Sequence, residues 1–146
     1  MDKLKPHLSF AGRANRQPYW VTSVLIYMAI VVASFTAVTL SITGLLVFIP
    51  VLVLGLWAGM AVAVRRLHDR NKSGWWLLAM YLPPTLFSII GELASVSNPE
   101  AGSGIALLGV PFSIWAFVEL GCLKGTIGPN RFGDDPLQPT VAEVFS

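Results

Sequence analysis

LLVFIPVLVLGLWAGMAVAVRRLHDRNKSGWW, residues 45–76, changes character at a single point. Residues 45–64 hold no charge, and the stretch that follows holds Arg65, Arg66, Arg70 and Lys72 with His68, Asp69, Trp75 and Trp76. A helix of about 20 apolar residues crosses roughly 30 Å of hydrocarbon, so the first part reads as a membrane span. The charged part must then lie at a bilayer surface. Composition agrees: 12% of the 146 residues are charged and 54% are apolar, with a mean hydropathy of +0.66. Soluble domains carry about 25% charged residues, so a water-facing surface of this size has too few polar groups to cover it.

Working outward, four apolar segments reach spanning length: about 20–40 and 45–64, both without a charge, then 75–94, with Glu92 near its end, and 105–123. SITG (41–44) joins the first two, with Gly44 the expected helix breaker, and SVSNPEAGSG (95–104) reads as a polar loop between the last two. All ten Lys and Arg residues fall in 1–19, 65–74 and 124–146, among them Lys3, Lys5 and Lys124, and none in the other two connections. Short cation-rich segments stay inside, which makes these three cytoplasmic. The expected fold is an all-α membrane protein: four transmembrane helices in a compact antiparallel bundle, both termini cytoplasmic, under an arginine-rich cytoplasmic cap, all in one membrane domain (1–146). The first apolar run is longer than a cleavable signal and is expected to remain as an anchor.

Within the spans, Gly55 and Gly59 form a GxxxG pair, which serves either packing inside the monomer or a dimer face. Pro83 and Pro84 lie near mid-span and deprive the Ala79 and Met80 carbonyls of helical donors; Thr85 and Ser88 are candidate replacements. Such a break serves a packing kink or a transport site. Glu119 is the acid inside a span, a functional-site candidate by its position and within reach of Arg65 or Arg66 if its role is a structural ion pair.

The cytoplasmic segments read FAGRANRQPYW (10–20), RRLHDRNKSGWW (65–76) and GTIGPNRFGDDP (125–136). They bring Arg13, Arg16, Arg65, Arg66, Arg70, Lys72 and Arg131 to one face with Asp69, Asp134 and Asp135. Guanidinium forks fit carboxylates and phosphates equally well. The acids therefore serve inter-loop ion pairing while surplus cations meet anionic headgroups, or the cluster is a site for a phosphate-bearing ligand or an acidic partner. These motifs resemble the bacterial inner-membrane family known as domain of unknown function 805. The matches are Phe10, Gly12, Arg13, Arg16, Tyr19 and Trp20, then Arg65 through Asp69 and Ser73 through Trp76, then Gly125, Gly128 through Gly133, Asp135 and Pro136. Asn71 stands where the pattern leads one to expect glycine, and asparagine too can take a left-handed turn. The resemblance covers nearly the whole chain and implies four spans in a bacterial inner membrane. It implies no activity.

No P-loop, dinucleotide or nucleophile-elbow motif is present. One cysteine and separated histidines argue against a metal site. No catalytic residue or cofactor is assigned, and nucleic acid is set aside as a partner. The reading is a binding, interaction or membrane-organising protein whose partners are the bilayer, its anionic lipids and either a second copy or another membrane protein. The alternative is a small transporter or channel with a site near Pro83, Pro84 and Glu119. A third class, an enzyme acting on lipid headgroups, rests on the cations near the interface and would gain if His68 and Asp69 faced one pocket beside the bilayer.

Overall fold

The computed structural model describes residues 9–138; Lys3, Lys5 and His7 lie outside the described residues. It is helical throughout its long elements: α1 (Arg16–Leu40), α2 (Ile42–Asp69), α3 (Trp76–Ser95), α4 (Pro99–Leu107), α5 (Val110–Phe117) and a π-helical turn (Val118–Cys122). Four stretches are long and apolar enough to cross a membrane: α1, α2, α3 and the segmented Pro99–Cys122. The surface is inverted relative to a water-soluble protein. Leu25, Tyr27, Phe35 and Val38 of α1 are all more than 60% exposed, an arrangement stable only against lipid. Hydroxyls on α1 are satisfied within the helix: Ser34 donates to the Ile30 carbonyl, Thr36 to Ala33 and Thr39 to Phe35. Lipid supplies no hydrogen bonds, so each must find an internal acceptor.

The chain forms two units. The first contains α1, α2 and the segment after Lys124. Its helices turn at the single residue Ser41, which takes φ 51°. Gly44 lies inside α2 rather than breaking it: a Cβ there would collide with the Thr36 carbonyl, so glycine permits a close approach. The GxxxG face is also occupied within the unit, because a methyl on Gly55 would come 3.1 Å from Ile26 Cγ2. Before α1, Phe10 meets Trp57 edge-to-face at 5.0 Å and the Ala14 amide donates to the Arg65 carbonyl, so this segment lies along α2.

The second unit, Lys72–Leu123, pairs α3 with α4 and α5. Helix begins at Pro99, inside the stretch that reads as a polar loop, because Asn98 accepts the Glu100 and Ala101 amides and Pro99 suits the first helical position. The break at Leu108–Gly109 follows from Pro111, which offers no amide to the Leu107 carbonyl. Pro83 and Pro84 are carried inside α3. The Thr85 hydroxyl reaches the Tyr81 carbonyl at 2.7 Å instead of Ala79 or Met80. Pro84 packs on Gly109, and Phe87 on Phe112 with ring centroids 6.3 Å apart, so apolar groups fill this level.

Gly91 and Gly102 make a close α3–α4 contact, each so near the other's carbonyl that an added Cβ would lie 2.7 or 2.6 Å away. Gly102→Val should therefore cost about 1–3 kcal/mol through overpacking. Gly104→Ala, where a Cβ meets nothing within 4 Å, should be neutral or stabilising. Thermal unfolding of the two variants in micelles checks the contrast.

Candidate functional site: an arginine–aspartate cluster at the end of α2

RRLHD is helical, not a loop: α2 runs to Asp69, and Asn71 then takes a left-handed φ of 57°. The i, i+3 spacing lays Arg66 against Asp69 on one face, and the two form an ion pair with side chains 0% and 3% exposed. Arg13 arrives from the segment before α1. Its Nε and Nη2 donate to Asp69 Oδ1 at 3.1 and 3.0 Å, and its side chain is 1% exposed. The remaining Arg13 donors reach the carbonyls of Thr126 and Gly128, both at 2.6 Å, and of Gly133 at 3.3 Å. One guanidinium thus ties the start of the chain to the end of α2 and to the C-terminal segment.

Backbone contacts complete the junction. The Thr126 amide and hydroxyl both donate to the Asp69 carbonyl, at 2.8 and 3.0 Å. Asn130 Nδ2 donates to the His68 carbonyl and to Thr126 Oγ1, both at 2.9 Å. Gly125 packs so close to the Asp69 carboxylate that a Cβ would overlap it. Gly128 takes φ 78°, a conformation that favours glycine, while offering its carbonyl to Arg13. The His68 ring stacks on Phe132 at 3.9 Å, and its Nδ1 lies 3.1 Å from the Gly12 carbonyl. The His68 ring and the Asp69 carboxylate are thus engaged by different partners.

The other cations have different partners. Arg70 donates to the Lys124 carbonyl at 2.7 Å. Arg131 is exposed, donates to the Asn71 carbonyl at 3.0 Å and lies over the Phe132 ring. Arg16 is exposed in the first turn of α1. Asp134 is exposed, whereas Asp135 serves its own segment by accepting the Gly128 and Leu137 amides at 2.9 and 3.0 Å. Within the second unit, Lys72 Nζ meets Glu119 Oε1 at 2.7 Å and lies 5.2 Å from the centre of the Trp76 ring. The Glu119 side chain, on the π-helical turn, is 5% exposed. Arg65 stands apart. It is 8% exposed, its Nε makes a long 3.4 Å bond to the Ala61 carbonyl, and its Nη2 is buried without a hydrogen-bond partner among the described residues. An unsatisfied buried donor costs about 1–3 kcal/mol, and more when charged. Among the described residues no group of three His, Cys, Asp or Glu could hold a metal ion.

In the sequence Thr126 carries no assigned role, and Asn130 enters only within the Gly128 through Gly133 motif match. The signal available was their position as neutral hydrogen-bonding residues inside the glycine-rich GTIGPNRFG stretch.

Asp69→Ala should destabilise the protein by about 3–5 kcal/mol, because it leaves two buried guanidiniums without their carboxylate. Gly125→Ala should act in the same direction by displacing that carboxylate, and thermal unfolding in micelles reads both. The Leu137 and then the Gly128 amide hold the Asp135 pKa below the usual carboxylate value, with Arg13 adding to the shift and burial opposing it. A lowered folded pKa means its contribution is present at neutral pH and is lost as pH falls through that lowered value. The amide NMR shifts of Gly128 and Leu137 should follow this acidic transition, and Asp135→Asn should abolish it.

The chain is similar to three proteins of Escherichia coli strain K12. Inner membrane protein YhaI is 30% identical over 93% of this chain and 92% of its own length. Inner membrane protein YhaH is 31% identical over 93% and 94%, and Uncharacterized protein YiiR is 28% identical over 87% and 85%. No solved structure matches. The match of residues 7–134, which takes in every contact of the Asp69 junction, shows that the chain belongs to the family described as Protein of unknown function (DUF805).

Proposed function

We propose that this is an integral protein of the bacterial inner membrane that acts by binding, with the Asp69 junction on the cytoplasmic side holding a basic face against anionic lipid headgroups. The observation that carries this reading is the sorting of charge by helix end. The turns at Ser41 and at Val96–Asn98 hold no Lys or Arg, while every described cation lies before α1 or in its first turn, at the end of α2, before α3 or after the π-helical turn. That asymmetry is the one that retains segments on the cytoplasmic side.

The cations divide into two roles. Arg13 and Arg66 hold the junction together. Arg131 is exposed and bound to a carbonyl and a ring, so its charge still acts on the surroundings. A cation near an anionic surface contributes about 1 kcal/mol of attraction. Exposed Trp20, Trp75 and Trp76 adjoin the same helix ends and suit the headgroup level. The inner-membrane names of YhaI and YhaH support the location.

The transporter reading keeps one supporting feature, the buried Glu119 on a π-helical turn, since such turns recur at functional sites. Against it stand the Lys72 ion pair and the apolar packing around Pro84.

Two measurements test the proposal. Alkaline phosphatase fused after Ser97 should be active and fused at the C-terminus inactive; the reverse pattern would overturn the orientation. In nanodiscs, phosphatidylglycerol should stabilise the wild-type protein against heat more than phosphatidylcholine does. Arg131→Glu should reduce that difference, and added salt should weaken it.

A further inference from the structure

Arg65 is the feature that the junction does not use. α2 rises about 1.5 Å per residue, so Arg65 lies roughly 35 Å along it from Ile42. The hydrocarbon core is about 30 Å thick, which puts Arg65 at the depth of the lipid phosphates if α2 starts at the opposite boundary. Its Nε is engaged, its Nη2 is sealed from solvent with no partner among the described residues, and its 8% exposure lies on other atoms of the side chain. Its backbone carbonyl accepts the Ala14 amide, two residues before α1 begins. The first turn of α1 contains no acidic residue, and the Asn15 side chain caps this helix start by accepting the Gln17 amide. A buried guanidinium with an unused donor attracts an oxyanion, and its planar fork matches the oxygens of a phosphate.

We infer that Arg65 is the binding residue for a phosphate group, contributed by a lipid headgroup or by free phosphate. The inference rests on the proposed headgroup-facing orientation but concerns a different residue from the exposed Arg131. Phosphate bound at the exposed part of the side chain neutralises the guanidinium, and a small shift of the fork lets it serve as the acceptor that Nη2 lacks. The site is selective for a planar fork, so an ammonium at the same position serves it poorly.

The test uses the full-length protein in maltoside micelles, which contain no phosphate. Thermal unfolding is followed while either inorganic phosphate or short-chain phosphatidylglycerol is added, for the wild type, Arg65→Gln and Arg65→Lys. The wild type should be stabilised in a saturable manner. A response to the lipid alone assigns the headgroup, and a response to inorganic phosphate assigns the free anion. Arg65→Gln should raise the half-saturating concentration at least tenfold, with Arg65→Lys intermediate. An unchanged half-saturating concentration in Arg65→Gln overturns the inference. If that variant does not fold, phosphorus NMR of the wild type decides: saturable line broadening of either probe supports the site, and its absence for both overturns it. Loss of the Arg65 effect while Arg131→Glu still reduces the phosphatidylglycerol preference would refute this site and leave the general reading intact; the opposite pattern would do the reverse.

Discussion

The Asp69 carboxylate is the constraint around which the first unit is organised. It ends α2, where the helix dipole disfavours an anion, and it is nearly sealed from solvent. Burying a charge costs several kcal/mol unless a partner with good geometry accompanies it. Arg66, one turn earlier, supplies half of that partnership from the same helix. Arg13 supplies the rest from the chain before α1 and extends its fork to three carbonyls of the C-terminal segment. The Asp69 carbonyl then fixes Thr126. Side chain and backbone of one residue together hold three segments that are distant in sequence.

Close approach is the second theme, and small residues carry it. Where helices or loops come nearest, glycine is present for want of room: Gly44 against Thr36, Gly55 against Ile26, Gly91 against Gly102, Gly125 against Asp69. Between lipid-facing helices the hydrophobic effect gives little net drive, so association depends on packing of this kind. The apolar exterior of α1 follows from the same physics, since those side chains meet hydrocarbon rather than water.

Cations that look equivalent in a one-dimensional reading are not equivalent in three. Arg13 and Arg66 are buried in the junction, Arg70 and Arg131 reach backbone carbonyls, and Lys72 meets Glu119 in the second unit. Arg65 has an unused donor. Sorting them by partner separates residues that hold the fold from residues available to a ligand, and the basic-face proposal depends on that separation.

By itself the sequence determined the class of protein. Apolar runs long enough to cross hydrocarbon, and cations confined to alternate connections, follow from local composition and need no knowledge of packing. The family was legible in the same way, because its three motifs are contiguous. Tertiary structure decided which partner each charge takes. Glu119 reads in the sequence as within reach of Arg65 or Arg66, and in the structure Lys72 lies 2.7 Å from it; Asp135 sits beside Asp134 but serves two amides of its own segment. Gly44 and Pro99 also changed meaning, one from a breaker to a contact and the other from loop to helix start. Such outcomes depend on distances between segments far apart along the chain. A hydrogen bond forms only within a few tenths of an ångström of its preferred length, and no local pattern of residue types encodes that separation.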